Sequence, residues 1–180
     1  PFGFDETFPI ARLDEMLPLL LADQSAVFCD VGSDPGWDQQ IIGWINKVRA
    51  QVRSGVSAPG EIRDVRRFLD DMRLIKDKQE ISTMKRAAGI SSEAHRRAMR
   101  AARPGMHESE LEAELIHESR RQGAQAPAYT PIVAGGANPC ILHYVQTYAV
   151  LDDGAVVRIH AGCELADSVS AITHTFPFGG

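Results

Sequence analysis

Apolar residues recur along this chain with two periods, and the change between them divides it. In GWDQQIIGWINKVRAQVRSG (36–55), Ile41, Ile42, Ile45, Val48 and Val52 return at steps of three and four, as one buried stripe on a helix does. Pro35 and Gly55 stand near its ends, where helices start and stop. Before it, IARLDEMLPLLLAD (10–23) predicts a helix and SAVFCDVG (25–32) a strand. A lone strand leaves its backbone donors and acceptors unpaired. Residues 1–59 therefore predict the last part of an α/β domain whose earlier strands lie elsewhere or come from another chain. After the turn-rich SAPGE (57–61), residues 62–77 predict a connecting helix, bounded as 60–76.

A second unit, 77–180, opens at Asp77 and Glu80, spaced as a capping box. Ile81, Met84, Ala88, Ser91, Ala94 or His95, Ala98 and Ala102 mark one face of a long helix ended by Pro104-Gly105. A further helix over about 107–122 turns Leu111, Leu115 and Ser119 inward, with Gly123 just past its end. Beyond it the period becomes two, and TPIVAG, CILHYV, AVVRIHAG and SAITHTFPF predict strands. Helices followed by antiparallel strands predict an α+β fold.

Composition narrows the function classes. Nineteen Lys and Arg against 24 Asp and Glu give a net charge of −5, and the basic residues pair on helix faces, as at Arg66-Arg67 and Arg120-Arg121. That pattern argues against nucleic acid as a partner. No apolar run reaches the roughly 18 residues of a membrane span, and the first residues lack the regions of a signal peptide. Cys29, Cys140 and Cys163 are odd in number and widely spaced, which predicts reduced, buried thiols and a cytoplasmic protein.

The segments MRLIKDKQEI (72–81), RPGMHESELEAEL (103–115), YTPIVAGGANPCILHY (129–144), DDGAVVRIHAGCE (152–164) and ITHTFPFGG (172–180) resemble, in order and spacing, the pita-bread metallopeptidases of the aminopeptidase P type. The resemblance implies the N-terminal half of a pita-bread domain behind the tail of an N-terminal α/β domain. It also implies two divalent metals, often manganese, sharing a hydroxide that cleaves the bond between a first residue and proline. Hard paired cations need oxygen ligands and bridging carboxylates. The family's first two ligands are aspartates eleven residues apart, and the matching positions here hold His160 and Ala171. The other three, a His and two Glu, belong by resemblance to a C-terminal half outside these 180 residues.

An alanine offers no ligand atom, and one histidine can neither bridge two ions nor offset their charge. No metal cofactor is therefore expected for this chain. Arg158 stands on the strand face of His160 where the family is apolar, and Ser168 and His174 replace an aromatic residue and an arginine. His143 matches a histidine that lines the family's pocket, and is expected to remain as a pocket-lining remnant. His143, His160 and His174 also suggest a zinc site of three histidines and water. Glu164 and Asp167 are expected to be solvated turn carboxylates, and Cys163 a buried thiol without an activating base. The glycine-rich AGGANP (134–139) has no lysine or helix start after it, so it reads as a loop near the substrate pocket, not a phosphate cradle. Three functions follow as expectations: an inactive aminopeptidase P-like pseudo-enzyme that binds peptides or assembles with a partner, a Xaa-Pro aminopeptidase completed by a missing half, and a zinc hydrolase. A half-domain exposes apolar surface, so a homodimer or a covering partner chain is expected, with a proline-containing peptide as ligand.

Overall fold

A computed structural model describes residues 3–177. It divides into two compact units, 1–75 and 76–180.

In the first unit a single 3-10 turn leads into α1 (Leu13–Leu21), followed by β1 (Ala26–Cys29), α2 (Pro35–Arg49), β2 (Glu61–Asp64) and α3 (Arg66–Leu74). Asp34 starts α2 by accepting from the amides of Gly36 (2.8 Å) and Trp37 (3.1 Å), with Pro35 at the first helical position where its missing N–H costs nothing. The buried stripe of α2 is Ile41, Trp44, Ile45 and Val48; Ile42 and Val52 stay exposed. Leu13, Leu17 and Leu21 of α1 pack on this stripe. Pro18 sits inside α1 and lacks the amide that would bond the Asp14 carbonyl; Lys47 Nζ donates to that carbonyl instead, at 3.2 Å. The carboxylate of Asp14 accepts from Trp44 Nε1 at 2.6 Å, so both polar groups of one residue tie α1 to α2.

The segment expected as a helix from residue 62 is instead a strand as far as Asp64. β2 runs parallel to β1, in register from Ala26↔Glu61 to Cys29↔Asp64, so β1 is not alone. Pairing gives residues 61–64 the ladder bonds that a helix would have supplied. Asp64 then accepts from the Arg66 amide at 2.9 Å and starts α3.

The second unit contains α4 (Lys78–Ala101), α5 (Glu108–Arg121), β3 (Ala126–Pro127), β4 (Ile132–Gly135), β5 (Val156–Ala161), β6 (Cys163–Leu165), β7 (Ser168–Val169) and β8 (Ile172–Pro177). The capping box forms as predicted: Glu80 N donates to Asp77 at 2.8 Å, and Asp77 N to Glu80 at 2.7 Å. The strands make two antiparallel sheets, β4-β5-β8 and β3-β6-β7. The main core joins Ala94, Ala98, Leu111 and Leu115 of the helices to Val133, Val157, Ile159 and Ala161 of the first sheet. The α4 stripe matches expectation in its second half but is displaced in its first. Ala87 and Ile90 are buried, whereas Ile81, Met84 and Ala88 are exposed. Ala87 and Ile90 face Ala124, Cys163 and Leu165, and that contact sets the rotation.

CILHYV was expected as a strand but forms a loop after a short 3-10 turn at 138–140, with positive φ at His143 (54°) and Thr147 (49°). Of the cysteines, Cys163 is buried, Cys29 half-buried and Cys140 exposed, so the expectation of three buried thiols holds only for Cys163; all three are free. No helix among the described residues is long and apolar enough to cross a membrane.

Candidate functional site

The register of one hairpin decides which side chains can cooperate. β5 and β8 pair from Val156↔Pro177 to Ala161↔Ile172, with His160 opposite Thr173 and Ile159 opposite His174. Directly opposed residues share a face, and faces alternate along each strand. His160 and Thr173 therefore lie on one side, and Ala171, two residues before Thr173, returns to it. The two positions matching the family's ligands thus look the same way.

Neither carries a carboxylate. Ala171 presents a methyl group. The His160 ring stacks on Tyr129, with centroids 4.7 Å apart and planes at 23°, and its Nδ1 lies 2.7 Å from Thr173 Oγ1 and 3.5 Å from the Tyr129 hydroxyl. Burial pushes the Tyr129 hydroxyl's pKa up, which keeps it protonated as a neutral neighbour. The side chains present on this face do not fit two divalent ions.

The three-histidine arrangement does not form. His174 lies on the opposite face from His160 and stacks on Phe176, with centroids 6.4 Å apart. His143 is on an exposed loop. Among the described residues, no three or more His, Cys, Asp or Glu side chains gather where they could hold a metal ion. Asp167 is exposed in a turn with φ +60°, and Glu164 is half-buried on β6. Cys163 donates its Sγ hydrogen to the Ala87 carbonyl (3.4 Å), next to the Ser170 hydroxyl at 3.5 Å, without a basic partner.

Glu108 is a residue that the sequence pattern does not single out. It sits at the first position of α5, fully buried, and its carboxylate accepts four hydrogen bonds. Oε1 takes Gly135 N (2.8 Å) and Asn138 Nδ2 (2.9 Å); Oε2 takes the Tyr144 hydroxyl (2.6 Å) and Ala149 N (3.2 Å). One side chain thereby fixes both ends of the 136–149 loop beside the sheet and draws Tyr144 inward against Ile132 and Ala134. Burial, then the bond to Glu108, raises the pKa of Tyr144, so it stays a donor. The only sequence signal was an acid in the first turn of a predicted helix, which usually marks an exposed carboxylate favoured by the helix dipole.

Gly162 links β5 to β6 where two backbones nearly touch: a Cβ there would lie 1.7 Å from the Ser170 carbonyl oxygen. The crossing holds the hairpin together and keeps Ala171 beside the His160 face.

The profile of Metallopeptidase family M24 matches residues 82–180. The chain belongs to family M24. It is 38% identical over 178 residues to the Xaa-Pro aminopeptidase of Escherichia coli (strain K12), an alignment covering 99% of this chain and 40% of that protein. It is also 38% identical over 176 residues to the Haemophilus influenzae enzyme of the same name, covering 98% and 38%. This M24 chain is similar in structure to Pseudomonas aeruginosa aminopeptidase PepP, with a TM-score of 0.89 and 43% identity over 99% of this chain and 40% of that one. Proline aminopeptidase P II from Yersinia pestis gives 0.87 and 41%. The M24 chain thus spans about two fifths of the relatives it matches, and the α+β architecture is that of a partial aminopeptidase P fold.

Proposed function

We propose that this chain is a non-hydrolytic aminopeptidase P-like module, which keeps the family's scaffold for binding a peptide or a partner and has lost its paired-metal chemistry. The observation that supports this most is the hairpin face itself: the two positions that would carry bridging carboxylates hold a methyl group and an imidazole whose Nδ1 already lies against Thr173. Deleting even an outer partner of a metal ligand costs roughly 10- to 100-fold in affinity or activity, and removing both anionic anchors costs more. The scaffold around the face is intact, since β4-β5-β8 pairs fully and Glu108 pins the adjoining loop. Leu142 and Tyr148 on that loop are 82% and 81% exposed, which supports cover by a second copy or another chain. The exposed free thiol of Cys140 fits a reducing compartment such as the cytoplasm.

The test is manganese titration by calorimetry, together with hydrolysis of a Xaa-Pro peptide, on the wild type and on His160→Asp/Ala171→Asp, each joined to a C-terminal half that supplies the family's other three ligands. Wild type is expected to bind no manganese and cleave nothing, and the double variant to gain manganese binding. Cleavage by the wild type would refute this reading in favour of a Xaa-Pro aminopeptidase, as the relatives are named.

A further inference from the structure

The face that lost its carboxylates has also gained a cation. Arg158 lies on the central strand of β4-β5-β8, two residues from His160 and on the same side, between Ala134 on one neighbour and Thr175 on the other. It is half-buried, and its Nε is shielded from water and has no hydrogen-bond partner among the described residues. No other described residue pairs with its guanidinium. A guanidinium drawn partly out of water normally has a carboxylate or carbonyl beside it, because desolvating an uncompensated charge is costly. An unsatisfied buried donor in a native fold calls for an explanation, such as a bound ion.

The neighbours show what kind of ion. On this side β5 presents Arg158 and His160, β8 presents Thr173 and Thr175, and β4 presents Ile132 and Ala134. None is acidic. Where the resemblance implies two aspartates facing two cations, this chain has a positive group flanked by hydroxyls. The sign of the face is reversed.

We infer that this face binds a carboxylate, held by Arg158 with the Thr175 hydroxyl beside it. A guanidinium presents parallel N–H groups that match a carboxylate's two oxygens, and a single positive charge balances one carboxylate. The carboxylate can come from a peptide C-terminus or from a small organic acid. The inference rests on the proposal that the metal pair is lost, because two bound cations would repel Arg158 from the same face.

The experiment follows backbone amide shifts by NMR at low ionic strength while titrating succinate, a proline-ending tetrapeptide with a free C-terminus, the same peptide amidated, and inorganic phosphate. Saturable shifts centred on Ala134, Arg158 and Thr175 are expected with succinate or the free-acid peptide and none with the amidated peptide; whichever of the two binds identifies the source. Arg158→Leu restores the apolar residue type that the resemblance places there, and should weaken binding at least tenfold with distant amide shifts unchanged. Arg158→Lys, a point charge without the fork, should bind more weakly than wild type and better than Arg158→Leu. Absence of saturable shifts, preference for phosphate over both carboxylates, or equal affinity in Arg158→Leu would each overturn the inference. Manganese is titrated in parallel. Manganese binding alone refutes the functional proposal, whereas carboxylate binding that depends on Arg158 upholds this inference.

Discussion

Replacing Glu108 by Gln tests whether one buried carboxylate holds the 136–149 loop. The exchange keeps shape and volume and turns one acceptor oxygen into an NH2 group. If the amide oxygen stays where Oε1 is, Gly135 N and Asn138 Nδ2 keep their acceptor. The NH2 then faces Oε2's former donors, the Tyr144 hydroxyl and Ala149 N. The hydroxyl can turn and accept, but the Ala149 amide cannot. One orphaned buried donor costs about 1–3 kcal/mol, and the surviving bonds weaken because bonds to a charged group are worth about 1.5–3 kcal/mol against about 1 for neutral pairs. The sum is at least about 2 kcal/mol, which lowers Tm by roughly 4 °C or more for a chain of this size. Glu108→Ala strands all four donors and should cost about 4 kcal/mol or more. Urea unfolding gives the total, and hydrogen exchange at Gly135 and Ala149 shows whether the loss begins in the loop. If Glu108→Gln unfolds within about 0.5 kcal/mol of wild type, the size of an ordinary surface change, the carboxylate does not hold the loop and the reasoning fails.

Gly162→Ala places a methyl carbon 1.7 Å from a backbone oxygen that has no free rotation to yield, so it should cost more than the roughly 1–3 kcal/mol of ordinary overpacking; soluble yield and the melting curve report it. Glu118 accepts from Arg121 and Gln122, each at 2.6 Å, and these bonds, that of Arg121 most of all, lower its pKa to about 2 from an ordinary 4.5. Because the folded pKa is depressed, the stabilisation is complete above about pH 4.5 and disappears as pH falls toward 2. Glu118→Gln should therefore flatten the urea stability profile between those values, and an unchanged slope would show that Glu118 is not responsible.

What could be read from the sequence was what neighbouring residues decide among themselves. The Asp77–Glu80 box, the inward Leu111 and Leu115 of α5 and the two strands of the β5–β8 hairpin depend on local spacing, and each forms where predicted. The misses depend on distant partners. CILHYV has a strand's composition, yet Glu108, thirty-six residues before Tyr144, takes its tyrosine and bends the chain. Residues 61–64 look like the start of a helix until β1 offers a parallel edge. At the site, the resemblance implied that positions 160 and 171 face the same way, but the strand register was needed to show it and to put His174 on the other side. Arg158 stands out of place in the sequence pattern, but that it has no partner among the described residues follows only from its surroundings.

The pairing of β5 with β8 also carries an evolutionary consequence. Deleting or inserting one residue between Gly162 and Ala171 would let β8 slide by a single step, turning His174 toward His160 and sending Ile172 and Phe176 out into water. Phe176 leans on the main core, so a lineage attempting that frameshift of side chains would lose stability before gaining a second imidazole. A new metal centre here is far more accessible through point substitution at 160 and 171 than through any change in hairpin length.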